Sequence, residues 1–407
     1  LIIFLFIFYR SEIFKGFSWF NYYKYYYFIT FTLIVFFSLS LFLSYQVRIV
    51  GIIILFIVSS AVYMFEFYLH DLGKPKYDTY SEYKLRVERN PNYWVPPFPP
   101  KHTISYYTDF FKKKNYLPLS GISNANTLHC NENGYWATYK SDRYGFNNDN
   151  KVWDSEIDIV LIGDSYTAGA CVNPEDNISG NLQKYGLSVL NLGYGGNGPL
   201  INLGNVIEYV PLVQAKKIIW IYSNNDLDDL NLEKGSFFLS FLKKKSQNIH
   251  TKQSETDQFY LDFLKNYKKQ SDFVSILKLE RFRKNINKVL KSEDEKNNEL
   301  NYEILINDLK DTLLAAKTLL GKKNQEFYFV YLPGKENFYP KRYADTYKKV
   351  NYLKPKILAM VKDLNINIID MEQYLKDEIP SEMFPEKGHY NARGYQLIAE
   401  KLFESLQ

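Results

Sequence analysis

Cysteine is scarce in this chain, which holds only Cys130 and Cys171. That number excludes a zinc ribbon and a scaffold built on several disulfides. Two readings of the pair stay open: buried free thiols, or one bridge formed in an oxidising compartment. An excess of charge is missing too. Fifty basic and 45 acidic residues leave a formal net charge of +5 over 407 residues, which offers no basis for nucleic-acid binding. Among the five histidines, His70, His102, His129 and His250 stand at no metal-ligand spacing. They read as surface or packing residues, and neither a metal nor an organic cofactor is expected. No internal repeat is visible. Tyr (36) and Phe (30) are plentiful, and a Lys/Asn/Ile/Tyr/Phe bias explains them more simply than an aromatic binding surface does.

Long apolar runs are present, and they come first. Tyr25–Tyr45 and Ile49–Phe65 carry no charge, and only Gln46, Val47 and Arg48 separate them. A helix crosses the hydrocarbon core with about 20 residues, so the runs predict transmembrane helices over about 25–45 and 49–69, within an N-terminal segment 1–70. The chain opens on Leu1 rather than Met, and residues 1–9 read as the tail of an earlier span cut short. Two tandem runs argue against a cleaved signal peptide. Arg10, Lys15 and Lys24 precede the first run, and Lys74, Lys76, Lys84, Arg86 and Arg89 follow the second. The positive-inside rule puts both flanks in the cytoplasm. An oxidised cysteine pair and an envelope substrate would instead put the large domain outside the cytoplasm, the placement expected here.

Residues 71–153 read as a linker and loop-rich extension. Trp94-Val95-Pro96-Pro97-Phe98-Pro99-Pro100 favours extended backbone, and residues 116–153, with several Gly, Asn and aromatic positions, read as ordered loops packed on the domain C-terminal to them. From 154 to 407 short apolar strands alternate with helical stretches. Strands are predicted at Ile157–Ile162, Leu187–Leu192, Lys217–Tyr222, Glu326–Leu332 and Ile366–Asp370. Ile304, Leu305, Leu309, Leu313, Ala316 and Leu320 form a helical stripe. The alternation implies a parallel sheet covered on both faces. Residues 235–301, including Lys243–Lys245 and Ser292–Asn298, are strongly charged and read as a solvated helical insertion rather than a device for a charged partner.

The chemistry concentrates at predicted strand ends. Ile159-Val160-Leu161-Ile162 runs into Gly163-Asp164-Ser165, then toward a helix. Ligands of open α/β sheets bind beyond the carboxyl ends of the strands. A serine there sits among unpaired helix N-terminal N–H groups that suit a developing oxyanion. Asn191-Leu192-Gly193-Tyr194-Gly195-Gly196-Asn197-Gly198-Pro199 lets backbone approach a ligand, and with no Gly-Lys-Ser/Thr after it a phosphate loop is excluded. Ser223-Asn224-Asn225-Asp226 ends the third strand and offers an amide donor. Asp228 and Asp229 after it read as helix caps. Pro385-Glu386-Lys387-Gly388-His389 precedes a last amphipathic helix, where a loop can aim an imidazole at the serine.

In this order the pieces resemble the SGNH (GDSL-type) hydrolase family over about residues 155–407. Gly163-Asp164-Ser165 looks like its first block, Gly196 matches the second-block glycine, Asn225 the third-block asparagine and His389 the last-block histidine. The resemblance implies a three-layer α/β/α fold with a parallel, flavodoxin-like sheet. It implies Ser165 as nucleophile, His389 as base, and an oxyanion hole made by the Ser165 and Gly196 N–H groups and the Asn225 side chain. The family usually has an Asp three residues before the histidine. That position is Glu386 here, and Lys387 stands two residues before it. The third member is therefore Glu386, or else a Ser–His dyad is steadied by a backbone carbonyl.

The expected function is a membrane-anchored SGNH serine esterase or O-acyltransferase acting on acyl esters, acetyl foremost, of a cell-envelope glycan. A membrane acyl-donor protein is a candidate partner if the reaction is transfer. A lipid or thioester hydrolase at the bilayer surface, and a non-catalytic SGNH-like binding protein, are the alternatives.

Overall fold

The computed structural model describes residues 2–9, 20–72, 95–97, 116–234, 237–243, 246–266, 272–290, 295–386 and 388–407. Most of the 71–115 linker, His102, Lys387 and the basic residues flanking the apolar runs (Arg10, Lys15, Lys74, Lys76, Lys84, Arg86, Arg89) lie outside these. So do Lys244, Lys245 and 292–294 of the charged insertion. The chain divides into two compact units, Leu1–Lys74 with Lys269–Ser292, and Pro75–Lys268 with Glu293–Gln407.

The first unit is helical. Helices Phe20–Ser40 and Tyr45–Leu72 take up the apolar runs, with a break at 41–44. Among the described residues one helix, over Tyr45–His70, is long and apolar enough to cross a membrane. The apolar part of the preceding helix is shorter, Tyr26–Ser40, so it does not reach Tyr45 as the hydropathy predicted. The same unit contains helices Asp272–Leu277 and Glu280–Leu290. Glu66, fully buried, accepts from the Arg281 and Phe282 N–H groups at 3.0 and 2.6 Å. A carboxylate there satisfies first-turn donors that have no intrahelical partner. This part of the charged insertion is therefore packed on an apolar helix rather than wholly solvated.

The second unit is built on a five-stranded sheet. Two short strands come first, β1 (Asn126–Leu128) and β2 (Thr138–Lys140), which pair antiparallel on their own. The sheet then comprises β3 (Ile157–Ile162), β4 (Val189–Asn191), β5 (Ala215–Ser223), β6 (Glu326–Leu332) and β7 (Asn367–Asp370). All pairings are parallel and the order is β4-β3-β5-β6-β7. Two of the predicted strands match to the residue, two differ by one or two residues at each end, and the last starts one residue later.

Side chains alternate across a strand, and here both faces are apolar. Val160, Ile162, Ile218, Trp220, Phe329 and Tyr331 face a core shared with helices Pro199–Glu208, Glu295–Gly321 and Ala344–Asp363. Ile159, Leu161, Ile219, Ile221, Val330 and Ile369 face a second core shared with Ile178–Lys184, Met371–Leu375 and Ala392–Leu406. This is a three-layer α/β/α arrangement. Leu305, Leu309, Leu313, Ala316 and Leu320 make the buried stripe of the long helix, whereas Ile304 is 47% exposed, because it falls beside the stripe at helical spacing.

Residues 116–153 belong to the same core. Tyr116, Leu117, Leu119, Phe146 and Trp153 are buried in the first cluster. Buried Asp142 organises the segment by accepting from Tyr144 N, Phe146 N, Asn148 Nδ2 and Trp153 Nε1 at 2.8–3.0 Å.

Candidate active site

Strand order places the site. Strand β3 leads to β4 on one side and its other neighbour β5 leads to β6 on the opposite side, so connections leave the carboxyl ends of β3 and β5 in opposite directions. In open α/β sheets this switch point opens a crevice. Ser165 follows β3 directly, at the start of helix Ser165–Ala168. Asp164 is fully buried and caps that helix by accepting from Tyr166 N at 2.9 Å. Its other oxygen accepts from Ser223 Oγ at 2.8 Å and Asn225 Nδ2 at 3.2 Å. The acid of Gly163-Asp164-Ser165 thus joins the Ser165 turn to the end of β5, and burial pushes its pKa up.

The glycine-rich segment after β4 lies against the same turn, with Tyr194 N donating to Gly163 O at 3.2 Å. Gly196 adopts φ 77°, a left-handed conformation that glycine takes without steric cost. Glu233 holds the far end of this segment, accepting from Gly198 N at 2.6 Å and Leu200 N at 2.8 Å. Asn225 Nδ2 donates to Asp229 Oδ2 at 2.9 Å as well as to Asp164. Both of its amide hydrogens are therefore engaged by carboxylates. Asp229 is thus a partner of Asn225, while Asp228 pairs with Lys349 at 2.7 Å.

Ser165 Oγ and His389 Nε2 are 2.9 Å apart, although 224 residues separate them in sequence. The other imidazole nitrogen meets a carboxylate, and it is Glu132 rather than Glu386. Glu132 Oε2 lies 3.0 Å from His389 Nδ1 and accepts from the His389 backbone N–H at 2.6 Å. Glu386 is exposed. It shares the loop of His389, and the place at Nδ1 is filled from another part of the chain. Gly388 makes this possible. It holds φ 99°, and a Cβ there would stand 1.9 Å from Glu132 Oε2. Burial works against ionising Glu132, but its bonds to His389 outweigh that and keep its pKa below the usual carboxylate value.

Other groups hold the histidine in place. The Tyr166 ring packs edge-on against the imidazole, with centroids 4.8 Å apart. Lys335, buried just after β6, donates through Nζ to Pro385 O on the histidine loop. Burial lowers its pKa, with the neighbouring Glu132 charge acting in the opposite direction.

Sequence reasoning missed Glu132 because it lies 257 residues from His389, within no local motif. A signal was present in the cysteines. They are bonded to each other, which joins the residue two before Glu132 to the residue six after Ser165. Cys171, Glu132 and His389 bring donor atoms within 4.8 Å. The Cys171 sulfur is bonded to Cys130 and both imidazole nitrogens are engaged, by Ser165 and Glu132, so these donor atoms already have partners within the chain.

His129 is buried beside the site, and burial, then the His389 charge, push its pKa down to about 4. A folded pKa below the unfolded one contributes stability at neutral pH that is lost as pH falls from 6.5 through about 4. At 1.36 kcal/mol per pH unit, wild-type protein should lose roughly 3 kcal/mol over that window relative to His129→Phe. Unfolding midpoints of the two proteins at pH 7 and pH 4 measure this, and a difference that does not change with pH would contradict a buried neutral imidazole.

A cavity of about 240 Å³ adjoins Asn225 and Tyr166, lined also by Asn224, Asp228, Glu336 and Lys349. Polar side chains predominate in its lining, although apolar atoms expose more of the wall than polar ones do. Neither this cavity nor a larger open groove of about 680 Å³ between Lys140 and Lys184 has Ser165, Glu132 or His389 in its lining, but the smaller one adjoins Tyr166 and Asn225.

No protein-family model matches the chain, and no curated protein does. Among solved structures it is similar to a protein described as lipolytic and of the G-D-S-L family from Desulfitobacterium hafniense. That pair shows 13% identity and a TM-score of 0.37, covering 61% of this chain and 99% of the other. A GDSL-like lipase from Bacteroides thetaiotaomicron shows 11% identity and a TM-score of 0.35, covering 64% and 90%. A lipase/acylhydrolase from Enterococcus faecalis shows 13% and 0.35, covering 61% and 95%. At such identities and TM-scores these likenesses carry no functional weight. The α/β/α class rests on the strand order and layers of this chain, and its chemistry on the side chains just described.

Proposed function

We propose that this chain is a membrane-anchored, SGNH-type serine esterase or O-acyltransferase that acts on short acyl esters, acetyl foremost, of a cell-envelope glycan. The observation that carries the reading is the relay Glu132–His389–Ser165, with 3.0 and 2.9 Å contacts on the two imidazole nitrogens. Ser165 Oγ attacks the acyl carbon while His389 Nε2 takes its proton, and Glu132 holds the Nδ1–H and balances the imidazolium. The carbonyl oxygen becomes an oxyanion facing the Ser165 and Gly196 N–H groups and Asn225 Nδ2. His389 then returns the proton to the departing alcohol, leaving an acyl-enzyme. Water or a sugar hydroxyl, deprotonated by the same imidazole, takes the acyl group. If the acceptor is a sugar, the donor is an ester presented at the membrane, for which a membrane acyl-donor protein is a candidate.

The cavity beside Asn225 supports a short acyl group on a polar carrier, because a long chain would desolvate Asn224, Glu336 and the Asp228–Lys349 pair without replacing their hydrogen bonds. The Tyr45–His70 helix supports membrane anchoring. The Cys130–Cys171 bond supports an extracytoplasmic placement of the catalytic unit, since such bonds persist in oxidising compartments.

The test is a chain-length profile. Full-length protein should hydrolyse acetyl and propionyl chromogenic esters at least about tenfold faster, in kcat/KM, than octanoyl or longer ones, with Ser165→Ala as the blank. A preference for long chains would move the reading to a lipid or thioester hydrolase. Absence of turnover and of fluorophosphonate labelling in folded protein would support a binding role.

A further inference from the structure

Glu132 reaches the histidine from the 129–137 connection between β1 and β2, which has no regular secondary structure. These strands stand apart from the central sheet, so the sheet does not place the acid. Ties from the connection converge on the segment C-terminal to the nucleophile. Cys130 is bonded to Cys171, and Asn133 Nδ2 donates to the Cys171 carbonyl at 2.9 Å. Cys171 is itself held on Ser165, since the adjacent Ala170 N–H donates to Ser165 O at 2.9 Å. Cys171 adopts φ 62°, a left-handed backbone that a residue other than glycine keeps only where its surroundings over-determine it.

The ties form a closed ring. It runs from Ser165 to Cys171, across the bond to Cys130, on to Glu132, and through His389 back to Ser165. Every link but one is a hydrogen bond or a few residues of chain. The covalent link is the one that fixes the acid to the nucleophile.

We propose that the Cys130–Cys171 disulfide is the positioning element for Glu132 and makes the relay redox-dependent. This rests on the Ser165–His389–Glu132 reading above. Oxidised, the bond holds the carboxylate on His389 Nδ1. A dithiol reductant transfers two electrons and two protons, giving two free thiols and an oxidised reductant. The connection then loses its covalent tie, and hydrogen bonds alone hold the carboxylate on the imidazole, so it is less closely positioned.

The test uses full-length protein in detergent. Rates of fluorophosphonate labelling and short-ester turnover are compared for oxidised protein, protein treated with dithiothreitol, the Cys130→Ser/Cys171→Ser variant, Glu132→Gln, and the triple variant. Reduction or serine substitution should cost about 10²-fold in kcat, the scale of a misplaced catalytic group, with KM within about twofold. In the Glu132→Gln background the same changes should cost less than about twofold, because the bond acts through that carboxylate. Re-oxidation should restore the rate. An equal loss in both backgrounds would make the bond a general staple and overturn the proposal, as would an unchanged wild-type rate with thiols shown free. If oxidised wild-type protein neither labels nor turns over, the serine-nucleophile reading fails and this inference fails with it.

Discussion

Alanine at Ser165 is expected to lower kcat by about 10⁶-fold, and alanine at His389 by nearly as much, on the scale measured for Ser–His relays. The double variant should be no slower than either single one by more than about tenfold, since the two residues act as a unit: without the hydroxyl there is no proton for the imidazole to take. Neither change should unfold the protein. Ser165 is half-buried and its hydroxyl bonds His389, whereas the strand and helix around it are held by buried Ile162, Thr167 and Ala168. A thermal midpoint within a few degrees of wild type, together with lost fluorophosphonate labelling, would assign the loss to chemistry. Retained turnover in Ser165→Ala would remove the serine from the mechanism.

Glu132→Gln should cost about 10⁴-fold in kcat, the magnitude seen when the acid of such a triad becomes an amide and the imidazole takes the wrong tautomer. Glutamine keeps the shape and can still accept from the His389 backbone N–H, so KM should stay within a few-fold. Glu386→Gln is the matched control and should change the rate less than about twofold, because the residue is exposed and His389 Nδ1 already has its partner. The outcome is directional: a large effect at Glu386 and a small one at Glu132 would reverse the assignment. Gly388→Ala should resemble Glu132→Gln, because its Cβ would occupy the place of the Glu132 carboxylate.

The five strands of the sheet were legible because buried parallel strands read as apolar runs, and Ile157–Ile162 and Glu326–Leu332 do. The meeting of Ser165 with His389 was legible because each stands at a turn at or just before the start of a helix, where local sequence sets the backbone. The second apolar run was legible as the Tyr45–His70 helix, whereas the first extended less far than its hydropathy, since the backbone breaks at 41–44.

The sequence by itself determined the elements, their alternation and the residue types available at the strand ends, since these arise from periodicity and local backbone preference. Only the tertiary structure decided which carboxylate meets His389, that the two cysteines are bonded, and that the amide of Asn225 is already held by Asp164 and Asp229. Apart from Asn225 with Asp229, four residues on, those pairings bring together residues far apart in the chain, such as Glu132 and His389 or Cys130 and Cys171, and no local spacing encodes them. They arise because the strand order carries separate strand ends to one crevice, and because residues 116–153 fold onto the same core and bring Glu132 to it.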